Sequence, residues 1–227
     1  MRNGEGDGRN GGEWGWGDFL GAKFDTNKIN VVNQAVGGLS SRTYLTQGHW
    51  DRVLAMMKKG DFVMMQFGHN DGGAVNDTSG ARASLRGTGE ETQEIDNLLT
   101  RRREIVHTYG WYLRKFISDT QTKGATPLVC SLIPRQTWKD GRIVRGKDSY
   151  AGWAGQAAQA AGVGFIDINE IIAGRYDEFG PAKTAVLFVE GPHTNDQGAE
   201  LNAQCVIAGL KALQDNPLAP YLRAANP

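Results

Sequence analysis

The stretch Val31-Val32-Asn33-Gln34-Ala35-Val36-Gly37-Gly38-Leu39-Ser40-Ser41-Arg42-Thr43-Tyr44 decides how the chain reads. It opens on β-branched residues, passes through a glycine pair, and runs into a polar, Ser/Arg-rich helix start. Gly37 and Gly38 carry no Cβ, so their backbone can approach another group closely. Two later pieces converge on this stretch. Phe67-Gly68-His69-Asn70-Asp71 follows an apolar run, and Glu190-Gly191-Pro192-His193-Thr194-Asn195 lies near the end. Together they suggest hydrolytic chemistry.

Outward from there, residues 28–33 are expected to form the first strand. Residues 50–59 read as a short amphipathic helix with Val53, Leu54 and Met57 on one side, stopped by Gly60. Residues 62–67 are a continuous apolar run, as expected of a buried parallel strand. A long polar loop is expected over 71–97. A helix over 98–123, carrying the Arg101-Arg102-Arg103 run on its solvated face, is expected to end at Gly124. Further strands are predicted at 128–133 and 164–168, and helices at 149–161, from 168 to about 176, and at 195–213. A second polar loop, 135–146, has Trp138 at its middle. Near the start, Asp18 is expected to cap a short helix carrying Phe19 and Leu20 inward. Strands alternating with helices call for a parallel sheet covered on both faces. The expected fold is therefore α/β, a three-layer α/β/α sandwich, with residues 1–227 as a single domain.

Composition narrows the function. Lys+Arg and Asp+Glu number 25 each among 227 residues, a balance that points to neither nucleic acid nor a membrane surface. The two cysteines, Cys130 and Cys205, are too few for a disulfide scaffold and read as small buried hydrophobes. No apolar run has transmembrane length, and the polar, glycine-rich first residues do not read as a signal peptide.

In parallel α/β sheets ligands gather beyond the carboxyl ends of the strands. Gly38, Asn70 and His193 all fall just past predicted strands or in loops. A backbone N–H at Gly38 and the Asn70 amide can both donate to an oxyanion. His193 can serve as general base, with Glu190 three residues earlier orienting its ring. Blander readings stay open beside these: Asn70 as a turn residue, His193 as a structural or exposed histidine. Trp14 and Trp16 read equally as sugar-stacking platforms or as buried anchors of a loop.

The ordered combination resembles the SGNH, or GDSL-type, hydrolases, and within them the rhamnogalacturonan acetylesterases. The family's second block is similar to Asn33–Tyr44, with Gly38 at the oxyanion glycine. Its third block, Gly-His-Asn-Asp, is matched letter for letter by Gly68 to Asp71, so Asn70 takes the oxyanion asparagine's place. The fifth block, Asp-x-x-His, matches at His193, with Glu190 where the family usually has aspartate. Trp16-Gly17-Asp18-Phe19-Leu20 resembles the segment after the first block. The family's nucleophile lies in a Gly-Asp-Ser block at the end of the first strand, which the resemblance aligns just before Met1. Ser40 and Ser41 belong to the second block and are not its replacement.

The resemblance implies an SGNH-hydrolase fold with a flavodoxin-like parallel sheet whose first strand is missing here, an N-terminally truncated domain. That strand is central in the family's sheet. Its omission implies a gap of about 9.6 Å between 28–33 and 61–67, twice the usual strand spacing. A second chain filling that gap would make the protein an oligomer. The resemblance also implies a serine esterase that removes acetyl groups from pectic polysaccharide with no metal and no organic cofactor, in a family usually secreted or periplasmic. Acetylated poly- or oligosaccharide is the implied partner. Trp14, Trp16, Arg42, Arg86 and Trp138 are candidate substrate contacts, the arginines because a guanidinium pairs bidentately with a uronate carboxylate. Two other readings stay open: an inactive carbohydrate-binding relative, and a lipase-like member. The polar 71–97 and 135–146 loops offer the lipase reading no apolar groove.

Overall fold

The computed structural model describes residues 12–223. They form two compact units threaded by the same chain.

One unit comprises Gly38–Leu132 and Gly146–Asp167. Its centre is a three-stranded parallel sheet, β1 (Phe62–Met65), β4 (Thr126–Cys130) and β7 (Gly164–Ile166), in the order β1-β4-β7. The register pairs Met65 with Val129 and Cys130 with Ile166. All-parallel strands buried on their faces read as apolar runs, and Leu128, Val129 and Cys130 are almost fully buried. Helices α4 (Tyr109–Thr122) and α5 (Tyr150–Ala160) pack against β4. Helix α4 buries Tyr109, Tyr112, Leu113, Phe116 and Ile117, and α5 turns a stripe of alanines inward. Two shorter helices, α2 (Ser41–Thr46) and α3 (His49–Met56), complete the unit together with an antiparallel hairpin of β2 (Thr92–Asp96) and β3 (Arg103–His107).

The other unit comprises residues 12–37, Ile133–Arg145 and 168–223. Helix α6 (Ile168–Ala185) breaks at Gly180, where φ is +73° ahead of Pro181. It packs on α7 (Asp196–Ala212) and buries Ile172, Ala173 and Tyr176, whose hydroxyl reaches Asn202 at 3.2 Å. Helix α1 (Trp16–Leu20) packs on α7 as well. Two small hairpins, β5 (Trp138–Lys139) with β6 (Arg142–Ile143) and β8 (Phe188–Glu190) with β9 (His193–Thr194), supply the unit's strands among the described residues.

Several elements differ from expectation. Residues 28–33 form no strand. Asp25 Oδ1 accepts the Asn27 N–H and Asp25 O the Lys28 N–H, so a turn takes the start of the segment. The rest runs on outside any regular element, with Val32 exposed.

The helix expected over 98–123 begins only at Tyr109. Asn97 closes a turn instead: its side chain accepts from Leu99 and Thr100 N–H, and Arg101 sits at φ +56°. The arginine run therefore lies on a hairpin. Thr108 then caps α4 by accepting the Trp111 N–H. Asp18 acts from inside its helix, its carboxylate accepting the Gly15 N–H. No helix among the described residues is long and apolar enough to cross a membrane.

Candidate active site

Asn70 is bonded to Leu39, the residue after Gly38. Gly38 takes φ +79°, a left-handed conformation that side-chain-bearing residues rarely adopt. Its carbonyl accepts from Arg82 at 3.0 Å. The next carbonyl, Leu39 O, accepts from Asn70 Nδ2 at 3.2 Å. An amide nitrogen carries two hydrogens, so Asn70 is anchored through one and keeps a second donor beside the Gly38 turn.

The loops bearing these groups are tied together behind them. Asp71 Oδ1 accepts the Ser41 hydroxyl at 2.5 Å, and both carboxylate oxygens lie 3.2 Å from Ser41 N. Asp71 is fully buried, and burial pushes its carboxyl up to about 6 against the hydrogen bonds that oppose it. Ser40 caps α2, its side chain accepting from Thr43 N while the Thr43 hydroxyl accepts from Ser40 N. Both serines are wholly buried and engaged, so neither offers a free hydroxyl. On the other side of the loop, Tyr109 donates to Phe67 O at 3.1 Å and Tyr150 to Asp71 O at 3.0 Å. A Cβ at Gly68, where φ is +134°, would come within 3.0 Å of Tyr150 Cβ. The Gly-His-Asn-Asp turn is thus clamped between α2 and the Tyr109–Tyr150 pair.

Of the two candidate arginines, only Arg86 is exposed. Its guanidinium lies 5.7 Å from the ring centre of Trp153, which packs edge-on against Tyr150. Arg42 is not a substrate contact. It is wholly buried, with Nε and Nη2 on the Glu104 carboxylate at 2.7 and 2.8 Å and Nη1 on Val75 O and Ala83 O. Four of its five N–H groups are engaged in holding the 75–83 loop against the β2–β3 hairpin.

His193 belongs to the other unit, on β9 just before α7. Asn195 caps α7 through the Gly198 N–H and also donates to Val186 O, which fixes the backbone next to the histidine. Glu190, expected to orient His193, pairs with it in the β8–β9 register, but its carboxylate stops 4.0 Å from Nδ1 and is largely exposed. The carboxylate that reaches Nδ1 is Glu13, at 2.6 Å. Glu13, Glu190 and His193 hold one donor atom each within 4.8 Å of the others. Trp14 packs edge-on against Phe19 and is half-buried, as are Trp16 in α1 and Trp138 on the β5–β6 hairpin.

Sequence reasoning missed Glu13, Tyr150 and Trp153. Glu13 stands 180 residues from His193 in a glycine-rich loop, and only the fold pairs them. Asp71 was legible as the last letter of Gly-His-Asn-Asp, though its role was not.

Residues 3–201 match the GDSL-like Lipase/Acylhydrolase family. A rhamnogalacturonan acetylesterase of Emericella nidulans is 33% identical over 201 residues, 88% of this chain and 78% of that protein. A probable rhamnogalacturonan acetylesterase of Bacillus subtilis, YesY, is 29% identical over 205 residues, 88% of this chain and 84% of the relative. Among solved structures, YxiM of Bacillus subtilis superposes with a TM-score of 0.70 at 22% identity, over 88% of this chain and 51% of that one, so the chain spans about half its length. An acetylxylan esterase of Geobacillus stearothermophilus gives 0.57 at 17% identity, over 86% of this chain and 80% of that one. These likenesses bear out the α/β fold of the SGNH hydrolases. The chain belongs to the GDSL-like lipase/acylhydrolase family, and it is an esterase.

Proposed function

We propose that the protein is a carbohydrate O-acetylesterase acting on acetylated pectic polysaccharide of the rhamnogalacturonan type. The observation that carries this reading is the anchored Asn70 amide beside the Gly38 turn, two donors of the kind that meet an oxyanion. Likeness to a rhamnogalacturonan acetylesterase at 33% identity supports the substrate class.

In this scheme the attacking hydroxyl is that of the family's Gly-Asp-Ser serine, a block that residues 1–227 do not include. His193 Nε2 takes its proton as the serine oxygen bonds to the acetyl carbonyl carbon. Gly38 N–H and the Asn70 amide donate to the resulting oxyanion. The sugar oxygen then leaves, protonated by His193, and an acetyl-serine remains. Water, activated by the same imidazole, releases acetate and regenerates the serine. No metal or organic cofactor enters any of these steps.

The second reading, a carbohydrate-binding protein without turnover, uses the half-buried Trp14, Trp16 and Trp138 as stacking platforms. Acetate release measured side by side on acetylated rhamnogalacturonan and acetylated xylan tests the proposal. Preference for the first substrate is expected. Binding of either glycan without acetate release favours the second reading.

A further inference from the structure

Glu13 sits where the chain turns toward the His193 hairpin, and its place there is built by the backbone. One residue further along each segment, Trp14 N–H donates to Thr194 O at 2.8 Å, and the Thr194 hydroxyl donates to Trp14 O at 2.9 Å. These two bonds hold residue 13 and residue 193 side by side across 180 residues of sequence. Asp18 tightens the same segment, accepting from Gly15 N–H and from Asn33 Nδ2, the latter at 2.8 Å.

The two carboxylates near His193 differ in reach and in solvation. Glu13 Oε1 lies 2.6 Å from Nδ1 with a side chain 19% exposed, whereas Glu190 Oε1 lies at 4.0 Å with a side chain 76% exposed. The first distance is that of a short, charge-assisted hydrogen bond; the second lies outside hydrogen-bond range. A solvated carboxylate is also screened more strongly than a half-buried one.

We infer that Glu13, and not Glu190, is the positioning residue for His193. Glu13 accepts the Nδ1–H, which fixes the tautomer whose Nε2 carries the lone pair a general base needs. Glu190 then lies at the rim, free to vary without disturbing the ring. This inference rests on the reading of His193 as the base.

Imidazole ¹⁵N NMR at mildly alkaline pH tests the pairing without requiring turnover. The wild-type protein is expected to show His193 with a protonated Nδ1, a downfield Nδ1–H resonance and a bare Nε2, and Glu190→Ala to keep all three. Glu13→Ala is expected to lose the downfield resonance and shift the ring toward the Nε2–H tautomer. On a chromogenic acetate ester, with the Gly-Asp-Ser serine present, Glu13→Ala is expected to lower kcat by at least about tenfold with KM unchanged, part of a general-base effect of about 10²–10⁴; Glu190→Ala should stay within about twofold. A wild-type His193 protonated at Nε2 overturns the inference even if no variant folds. So does a tautomer switch or kcat loss in Glu190→Ala that Glu13→Ala does not share. If the NMR results come out as expected but the protein with its Gly-Asp-Ser serine present releases no acetate, the base role of His193 fails while the Glu13 pairing stands.

Discussion

The Asp71 carboxylate receives both the backbone N–H and the hydroxyl of Ser41, joining the turn that bears Asn70 to the helix that follows Gly38. Because its pKa stands at about 6, against an ordinary 3.8, the folded protein binds this proton more tightly than the unfolded chain. Stability from this group is thus greatest at low pH. It falls as pH rises from about 4 to about 6, by on the order of 3 kcal/mol at 1.36 kcal/mol per pKa unit. Urea unfolding of wild type and Asp71→Asn across pH 4–7 measures it: the difference, wild type minus variant, is expected to decline with rising pH and level off above about 6.

Arg42 and Glu104 form the second internal tie, and breaking one side strands the other. Removing one partner of a buried pair costs about 3–5 kcal/mol; Arg42→Ala is expected in that range by chemical denaturation. Burial works to raise the Glu104 carboxyl, yet the hydrogen bonds from Arg42 and Asn97 outweigh it and hold the pKa below the ordinary value. Its contribution is therefore full above the carboxylate's unfolded pKa and is lost as pH drops through the lower folded value. Glu104→Gln should lose stability most at neutral pH and least in acid.

Asn70→Ala removes the anchored amide while leaving the Asp71 and Tyr150 ties in place. An oxyanion donor is worth about 10²–10³ in kcat, so a loss of that size with nearly unchanged KM is expected in steady-state kinetics. Gly38→Ala has open space for its methyl, with Arg82 Nη1 nearest at 3.9 Å. Its penalty comes from φ +79°, about 1 kcal/mol in stability together with a displaced N–H.

Arg86 lies over Trp153, two side chains from the Asn70 turn by way of Tyr150. A guanidinium on an aromatic platform suits a uronate carboxylate. Arg86→Gln is expected to raise KM several-fold on acetylated galacturonate-containing oligosaccharides and to leave acetylated xylo-oligosaccharides unaffected. Equal effects on both would remove Arg86 from substrate recognition.

The parallel strands were legible because burial on both faces leaves an uninterrupted apolar run, as in Phe62–Met65 and Leu128–Cys130. Helices α5 and α7 were legible through their apolar stripes and end signals. The hairpin of β2 and β3 was not, because Ile105, Tyr109, Tyr112 and Phe116 also fit a helical period, and the deciding feature is the Asn97 turn. The 28–33 strand failed for a different reason: its β-branched residues carry strand propensity, but that propensity yields to context, here the turn that Asp25 makes with Asn27 and Lys28. Within the site, Gly38 and Asn70 could be named from short motifs. Arg42 could not be distinguished from a surface arginine, since its burial depends on Glu104, Val75 and Ala83. Glu13 is invisible to any local pattern, because the backbone bonds that seat it come from Thr194.

The central claim is acetyl transfer with His193 as base. Acetate released from acetylated rhamnogalacturonan by the protein with the Gly-Asp-Ser block present, followed for wild type and His193→Ala at equal folded concentration, tests it most directly. The account predicts release by the wild type and a loss of at least about 10²-fold in the variant, the lower end of what general-base catalysis contributes. Release that His193→Ala leaves intact, or none by the folded wild type, would contradict it.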